Sequence, residues 1–202
     1  MKKRILYSCL FLLCSSVAIA QIAINGAVCT VTGGSNGNVY MLSGSNQQTD
    51  NITWVIQGGV IAGSTDTTAS GTIASIGSSL RIVWNTGFNT GHIQVTNSRL
   101  GTASLTVNLQ TVDNTISAVN QLVSSGATIS ITGGNFSGPV CTAVYAFWWE
   151  TADSSNGPFN AIEGATGKDF SFSNATHPAY YRRVLLVNGE NIYSNPILIT
   201  VQ

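Results

Sequence analysis

No stretch of this chain carries apolar residues at helical spacing, and that strongly constrains its fold. Instead there are short runs of β-branched and aromatic residues, separated by turn-forming Gly and Asn. The first half predicts strands at 27–32, 39–43, 51–56, 72–76, 80–84, 92–96 and 103–109. The second half predicts them at 116–118, 127–132, 140–150, 159–163, 169–173, 180–187 and 197–201. Gly33-Gly34-Ser35-Asn36-Gly37 and Gly58-Gly59 are turns, because glycine enters positive φ without steric cost. Asn188-Gly189 lies between the run 184–187 and Ile192-Tyr193, which specifies a tight hairpin. A faint repeat divides the chain: Thr32-Gly33-Gly34-Ser35-Asn36 is echoed by Thr132-Gly133-Gly134-Asn135. The expected architecture is all-β: two tandem antiparallel β-sandwiches, over residues 21–110 and 111–202.

The first twenty residues stand apart from the fold. Lys2, Lys3 and Arg4 precede an apolar run, and Ala18-Ile19-Ala20 has the small-x-small form of a cleavage site. Residues 1–20 are expected to be a cleaved signal peptide, so the mature chain starts at Gln21. Acylation at Cys14 is disfavoured because Leu12 and Leu13 precede it, where small residues are required. An exported protein follows, extracellular or at the cell surface, with the periplasm as a further possible compartment. The mature chain has no segment able to span a membrane.

Composition narrows the partners. Three of the eight basic residues leave with the signal peptide, so five basic face eight acidic residues, a formal net of −3. Nucleic-acid binding needs clustered Lys and Arg, which this chain lacks. Charged residues are only 8% of the chain, and Ser, Thr, Asn and Gly supply its polar surface. Cys9 and Cys14 fall in the signal peptide, leaving Cys29 and Cys141, one in each half. Three arrangements are open: an inter-domain disulfide, an intermolecular disulfide, or two buried thiols. Buried thiols, or no defined role, are the expectation, with a disulfide as the alternative, since sequence alone does not place the Cα atoms within about 7 Å.

Trp54 and Trp84 sit among Ile and Val and are expected in the core. In 140–150, parity puts Tyr145, Phe147 and Trp149 on one face and Trp148 on the other. The first set is assigned inward, making Trp148 the candidate exposed aromatic for a glycan or protein partner. Tyr180-Tyr181-Arg182-Arg183 reads as structural: a Tyr held to the backbone, and Arg stems covering a sheet face. A paired-Arg grip on a carboxylate ligand is its functional alternative.

No catalytic signature is present. His92 and His177 are the only histidines, the acids are scattered, and the chain has no H-E-x-x-H, G-x-S-x-G or P-loop. Asp153-Ser-Ser-Asn-Gly157 lacks the alternating carboxylates and terminal Glu of an EF-hand loop and reads as a turn. No catalytic residue, metal ligand or cofactor is expected.

The run Ile52-Thr-Trp-Val-Ile-Gln-Gly-Gly59, with Leu80-Arg-Ile-Val-Trp-Asn-Thr-Gly87 and Gly91-His-Ile-Gln-Val-Thr96, resembles PKD-like modules. Those modules occur in exported proteins of Bacteroidetes-type bacteria. The second half resembles the Ig-like modules that accompany them. It does so through Trp149, Asp153, Phe159, Ile162-Glu-Gly-Ala-Thr166, Tyr180-Tyr-Arg-Arg183 and Ser194-Asn-Pro196. The resemblance implies a non-catalytic, secreted or surface-displayed structural or adhesive module. Its expected partners are other surface proteins or further copies of itself. Carbohydrate binding through exposed aromatics such as Trp148 is the alternative function.

Overall fold

The computed structural model describes residues 21–44, 47–141 and 145–202. The expected signal peptide, and residues 142–144 of the expected strand 140–150, lie outside the described residues.

Among the described residues the regular secondary structure is all strand apart from one helical turn. Its first half runs β1 (Ala23–Asn25), β2 (Cys29–Thr32), β3 (Asn38–Ser43), β4 (Asn51–Gln57), β5 (Gly59–Ile61), β6 (Thr68–Thr72), α1 (Ile73–Ile76), β7 (Ser79–Trp84), β8 (Thr90–Asn97) and β9 (Gly101–Val112). The second half runs β10 (Ile116–Ala118), β11 (Leu122–Val123), β12 (Ile129–Gly133), β13 (Phe136–Ser137), β14 (Tyr145–Ala152), β15 (Asn160–Ala161), β16 (Phe170–Phe172), β17 (Ala179–Val187), β18 (Glu190–Tyr193) and β19 (Ile197–Val201).

The expected strand at 72–76 is instead one helical turn. The Thr72 hydroxyl accepts the Ser75 N–H as an N-cap, and Gly77 at φ 76° ends the turn. Asp50 and Gln48 carbonyls accept the Ile73 and Ala74 N–H groups, so the turn is also held from outside. Residues 59–61 and 68–72 form strands that composition hid, because β6 is made of Thr, Ala, Ser and Gly. Pairing with β4 decides its conformation.

In the first sandwich, a sheet ordered β1-β3-β7-β5 faces one ordered β13-β9-β8-β4-β6, with β2 parallel to β9. Strict alternation drives the closure. Ile52, Trp54 and Ile56 of β4 point inward, as do Ile93 and Val95 of β8. Each buried indole removes about 150–250 Å² from water. That contributes at most about 4–6 kcal/mol at ~25 cal/mol per Å². Trp84 donates its indole N–H to the Tyr40 hydroxyl, which in turn donates to the Ala27 carbonyl, both at 3.1 Å. Gly91 is required here, since a Cβ would sit 2.1 Å from the Trp84 ring.

In the second sandwich, β10-β12-β16 faces β11-β19-β17-β14-β15, and β18 pairs with β17. Phe147 and Trp149 are buried and Tyr145 packs beside Phe147, so the inward face of β14 is the expected one. Asn188 and Gly189 take φ of 49° and 76° and close the β17–β18 hairpin.

Candidate functional site

The junction between the sandwiches collects several groups the sequence singled out separately. Cys29, opening β2, and Cys141 are joined in a disulfide with Cα atoms 5.4 Å apart. The expected pair of buried thiols is therefore corrected to a bridge between the halves. Spacing concealed it because the two residues lie 112 positions apart. Around the bridge, Val31 of the first half shares one apolar cluster with Phe147, Leu185 and Val187 of the second. Strand β13 leaves the second half and pairs with the end of β9. The Cys141 N–H donates to the Gln110 side chain at 3.1 Å.

The two echoed glycine motifs both lie at this junction, but with different partners. In the first, the Glu190 carboxylate from β18 accepts the Ser35 and Asn36 N–H groups and the Ser35 hydroxyl. The Ser35 hydroxyl, followed by these backbone donors, holds the Glu190 carboxyl below its ordinary value. In the second, Gly133 lies against Arg183, and a Cβ there would fall 1.7 Å from the guanidinium.

Arg183 is wholly buried. Its Nε donates to Asn114, and its terminal nitrogens donate to the Lys168 and Asp113 carbonyls, all at 2.9 Å. The Phe147 ring lies under the guanidinium at 4.5 Å. Burial pulls its pKa down, while Asp113 and Asp169 oppose that shift. Arg183 therefore pins the chain between β9 and β10 onto the second sandwich.

Arg182 points to the other face of β17, so the two arginines do not form a joint carboxylate grip. Its guanidinium is held between the rings of Phe159, at 4.0 Å, and Tyr193, at 4.1 Å. Glu150 pairs with it at 2.7 Å. The same Glu150 accepts the Trp148 indole N–H at 3.0 Å. Trp148 is half-buried, and in register it and Tyr193 flank Val184, which is fully covered. The candidate aromatic thus belongs to a patch with Glu150, Arg182, Phe159 and Tyr193. Tyr181, facing inward, contacts Phe170 and Phe172 and stands opposite Thr151 in the β14–β17 register. Burial raises its pKa.

Sequence reasoning missed a groove of about 620 Å³ on the flank of the second sandwich, between β16 and the chain following β15. Ile162, Phe170, Phe172, Ala179 and Tyr181 form its apolar floor, and Glu163 and His177 stand on its rim. Its volume is in the range of ligand sites. The only sequence signal was Phe170-Ser171-Phe172, a strand whose aromatics share one face.

The His92 ring nitrogen bonds to the Thr106 hydroxyl at 3.1 Å, and that of His177 to the Thr176 hydroxyl at 3.2 Å. Residues 153–157 form a turn in which the Gly157 N–H donates to the Ser154 carbonyl. Among the described residues, no group of three or more His, Cys, Asp or Glu could hold a metal ion. No described helix is long and apolar enough to cross a membrane.

A family model described as a domain of unknown function, DUF8696, matches residues 112–202. No curated protein matches the chain. Among solved structures, murine CEACAM1b aligns with 90% of this chain and 100% of its own, at 10% identity and a TM-score of 0.32. The FN1–FN3 domains of chicken CNTN1 align with 91% of this chain at 9% identity and a TM-score of 0.33. This chain covers 65% of that fragment.

Proposed function

We propose that the chain is an exported, non-catalytic surface module in which a PKD-like sandwich, 21–110, and an Ig-like sandwich, 111–202, act as one spacer or adhesive unit. The observation that carries this reading is the fastened junction. A disulfide, a shared apolar cluster, a strand pairing and the Glu190 clamp all act on the same boundary. A tether needs only a flexible linker. Fastening two sandwiches this many ways serves a protein that must hold a fixed distance or present a fixed surface. The disulfide also suits an oxidising compartment outside the cytoplasm.

The test is fractionation of the native host with crosslinking of the mature protein. Recovery at the cell surface joined to itself or to another protein is the expected result. A free monomer in the medium, with no crosslinked neighbour, overturns the reading.

The outer patch of Trp148, Phe159 and Tyr193 around Arg182–Glu150 favours a second reading, carbohydrate binding, since rings and charged groups share one face. A glycan array and the Trp148→Ala variant decide it. No array signal, or unchanged binding by the variant, removes it.

A further inference from the structure

We infer that the open flank of the second sandwich takes an extended peptide segment of a partner protein. The segment adds as a strand to the free edge of β16, lays alternate apolar side chains on the aromatic floor and presents a Lys or Arg to Glu163. The site is separate from the junction and from the Trp148 patch, so it goes beyond the reading above.

The two edges of the sheet β10-β12-β16 are finished differently. At β10 the Asn195 side chain bonds both backbone groups of Ile116, its nitrogen donating to the carbonyl and its oxygen accepting the N–H. At β16 the pairing among the described residues is with β12 alone. The polar side chains near this edge are turned toward β12. The Ser171 hydroxyl donates to the Ile129 carbonyl, and Lys168 Nζ donates to the Gly133 carbonyl and the Asn135 side chain. Proteins that close an edge do so with Lys, Pro or inward charge. β16 is Phe-Ser-Phe and carries none of these.

The shape beside that edge fits a strand. Phe170 and Phe172 alternate with Ser171, so both rings face the groove. They stack with centroids 5.9 Å apart and are half-exposed. A strand laid along β16 repeats its side chains at the same two-residue period and sets one on each ring. A second recess of about 210 Å³, lined by Asp153, Ser154 and Asn160, adjoins the groove, since Thr151 and His177 line both. The groove therefore runs from an apolar floor to a polar end. Asp153 and Glu163 stand exposed along it, and neither carboxylate has a partner among the described residues. Asp169, also on the groove, is paired with Lys168 at 3.2 Å. Two uncompensated carboxylates select a basic segment over an acidic one.

Selection of random linear dodecapeptides, displayed on phage, against the immobilised mature protein tests this. Enriched peptides are expected to carry two apolar or aromatic residues two positions apart, and a Lys or Arg. A selected peptide is then synthesised with each backbone amide N-methylated in turn, and its affinity is measured by calorimetry. Only alternate residues of an added strand bond the edge. Methylation at one parity is therefore expected to weaken binding about tenfold, the worth of one hydrogen bond, and at the other parity to be tolerated. Asp153→Lys/Glu163→Lys changes two exposed positions. It is expected to keep the melting temperature and to exchange the basic preference for an acidic one. No enriched peptide, no parity effect, or a preference unchanged in the variant overturns the inference. So does a wild-type oligomer that a selected peptide dissolves, which makes the occupant a second copy. A small apolar molecule found in the groove by native mass spectrometry overturns it as well. The spacer reading fails separately, when surface crosslinking recovers no neighbour.

Discussion

The two sandwiches solve one packing problem with different finishes. The first is closed: Trp54, Trp84 and Tyr40 fill its interior, and burial pushes the Tyr40 hydroxyl up to about 12. The second has an equally buried Trp149, yet leaves Phe170 and Phe172 half-exposed at an open flank and places a whole guanidinium inside. The echoed glycine turns show the same divergence. One receives a carboxylate from the neighbouring sandwich, and the other makes room for an arginine of its own. The shared motif thus fixes neither backbone nor partner: Gly33 turns at φ 106°, while Gly133 stays extended at the end of β12.

The largest way to break this comparison is Arg183→Ala. It strips hydrogen bonds from the Asp113 and Lys168 carbonyls and from Asn114, all in a buried setting. A loss of about 3–5 kcal/mol is expected in chemical denaturation. Arg183→Lys should recover only part of it, because an ammonium lacks the planar fork.

Core truncation comes next and compares the sandwiches directly. Trp54→Ala and Trp149→Ala should each cost about 3–5 kcal/mol. Tryptophan fluorescence and circular dichroism then report whether both halves unfold together. With the junction intact, one joint transition is expected for either variant. Two separate transitions would show that the halves are energetically independent.

Cys29→Ala/Cys141→Ala sharpens the same question. Opening the bridge should cost about 2–4 kcal/mol and separate the transitions. Small-angle scattering should show a broader distribution of lengths. An unchanged profile would mean that the apolar cluster of Val31, Phe147, Leu185 and Val187 suffices.

The smallest effect concerns acid. Glu190, Asp113 and Asp169 flank the junction, and all have depressed pKa values. The chief causes are the Ser35 hydroxyl, the Thr115 N–H and the Gly133 N–H, respectively. A carboxylate depressed in the folded state adds stability above its unfolded value and loses it as pH falls through the folded one. The melting temperature should therefore be level near neutrality and decline below about pH 4. Glu190→Gln should flatten part of that decline; an identical pH profile would remove Glu190 from the clamp.

Much of the strand plan was legible because period-two alternation records which face is buried. Parity separated Phe147 and Trp149 from Trp148, while Trp54 and Trp84 were placed in the core by their Ile and Val neighbours; Phe147, Trp149, Trp54 and Trp84 are all buried. The hairpin at Asn188-Gly189 was legible because few residues adopt positive φ. The helical turn at Ile73–Ile76 was not, since β-branched residues mimic a strand and the Thr72 cap depends on local geometry. β6 was hidden because small polar residues carry no pattern, and only its neighbour β4 makes it a strand. The groove escaped because its floor comes from residues in β16, β17 and the chain after β15, with no common spacing.

By itself the sequence determined the all-β class and most of the strands, because alternation and turn chemistry are local properties of the backbone. Tertiary structure decided the Cys29–Cys141 bridge, the burial of Arg183, the Glu190 clamp and the open flank. Each depends on groups distant in sequence meeting within a few ångströms, and no local rule encodes that proximity.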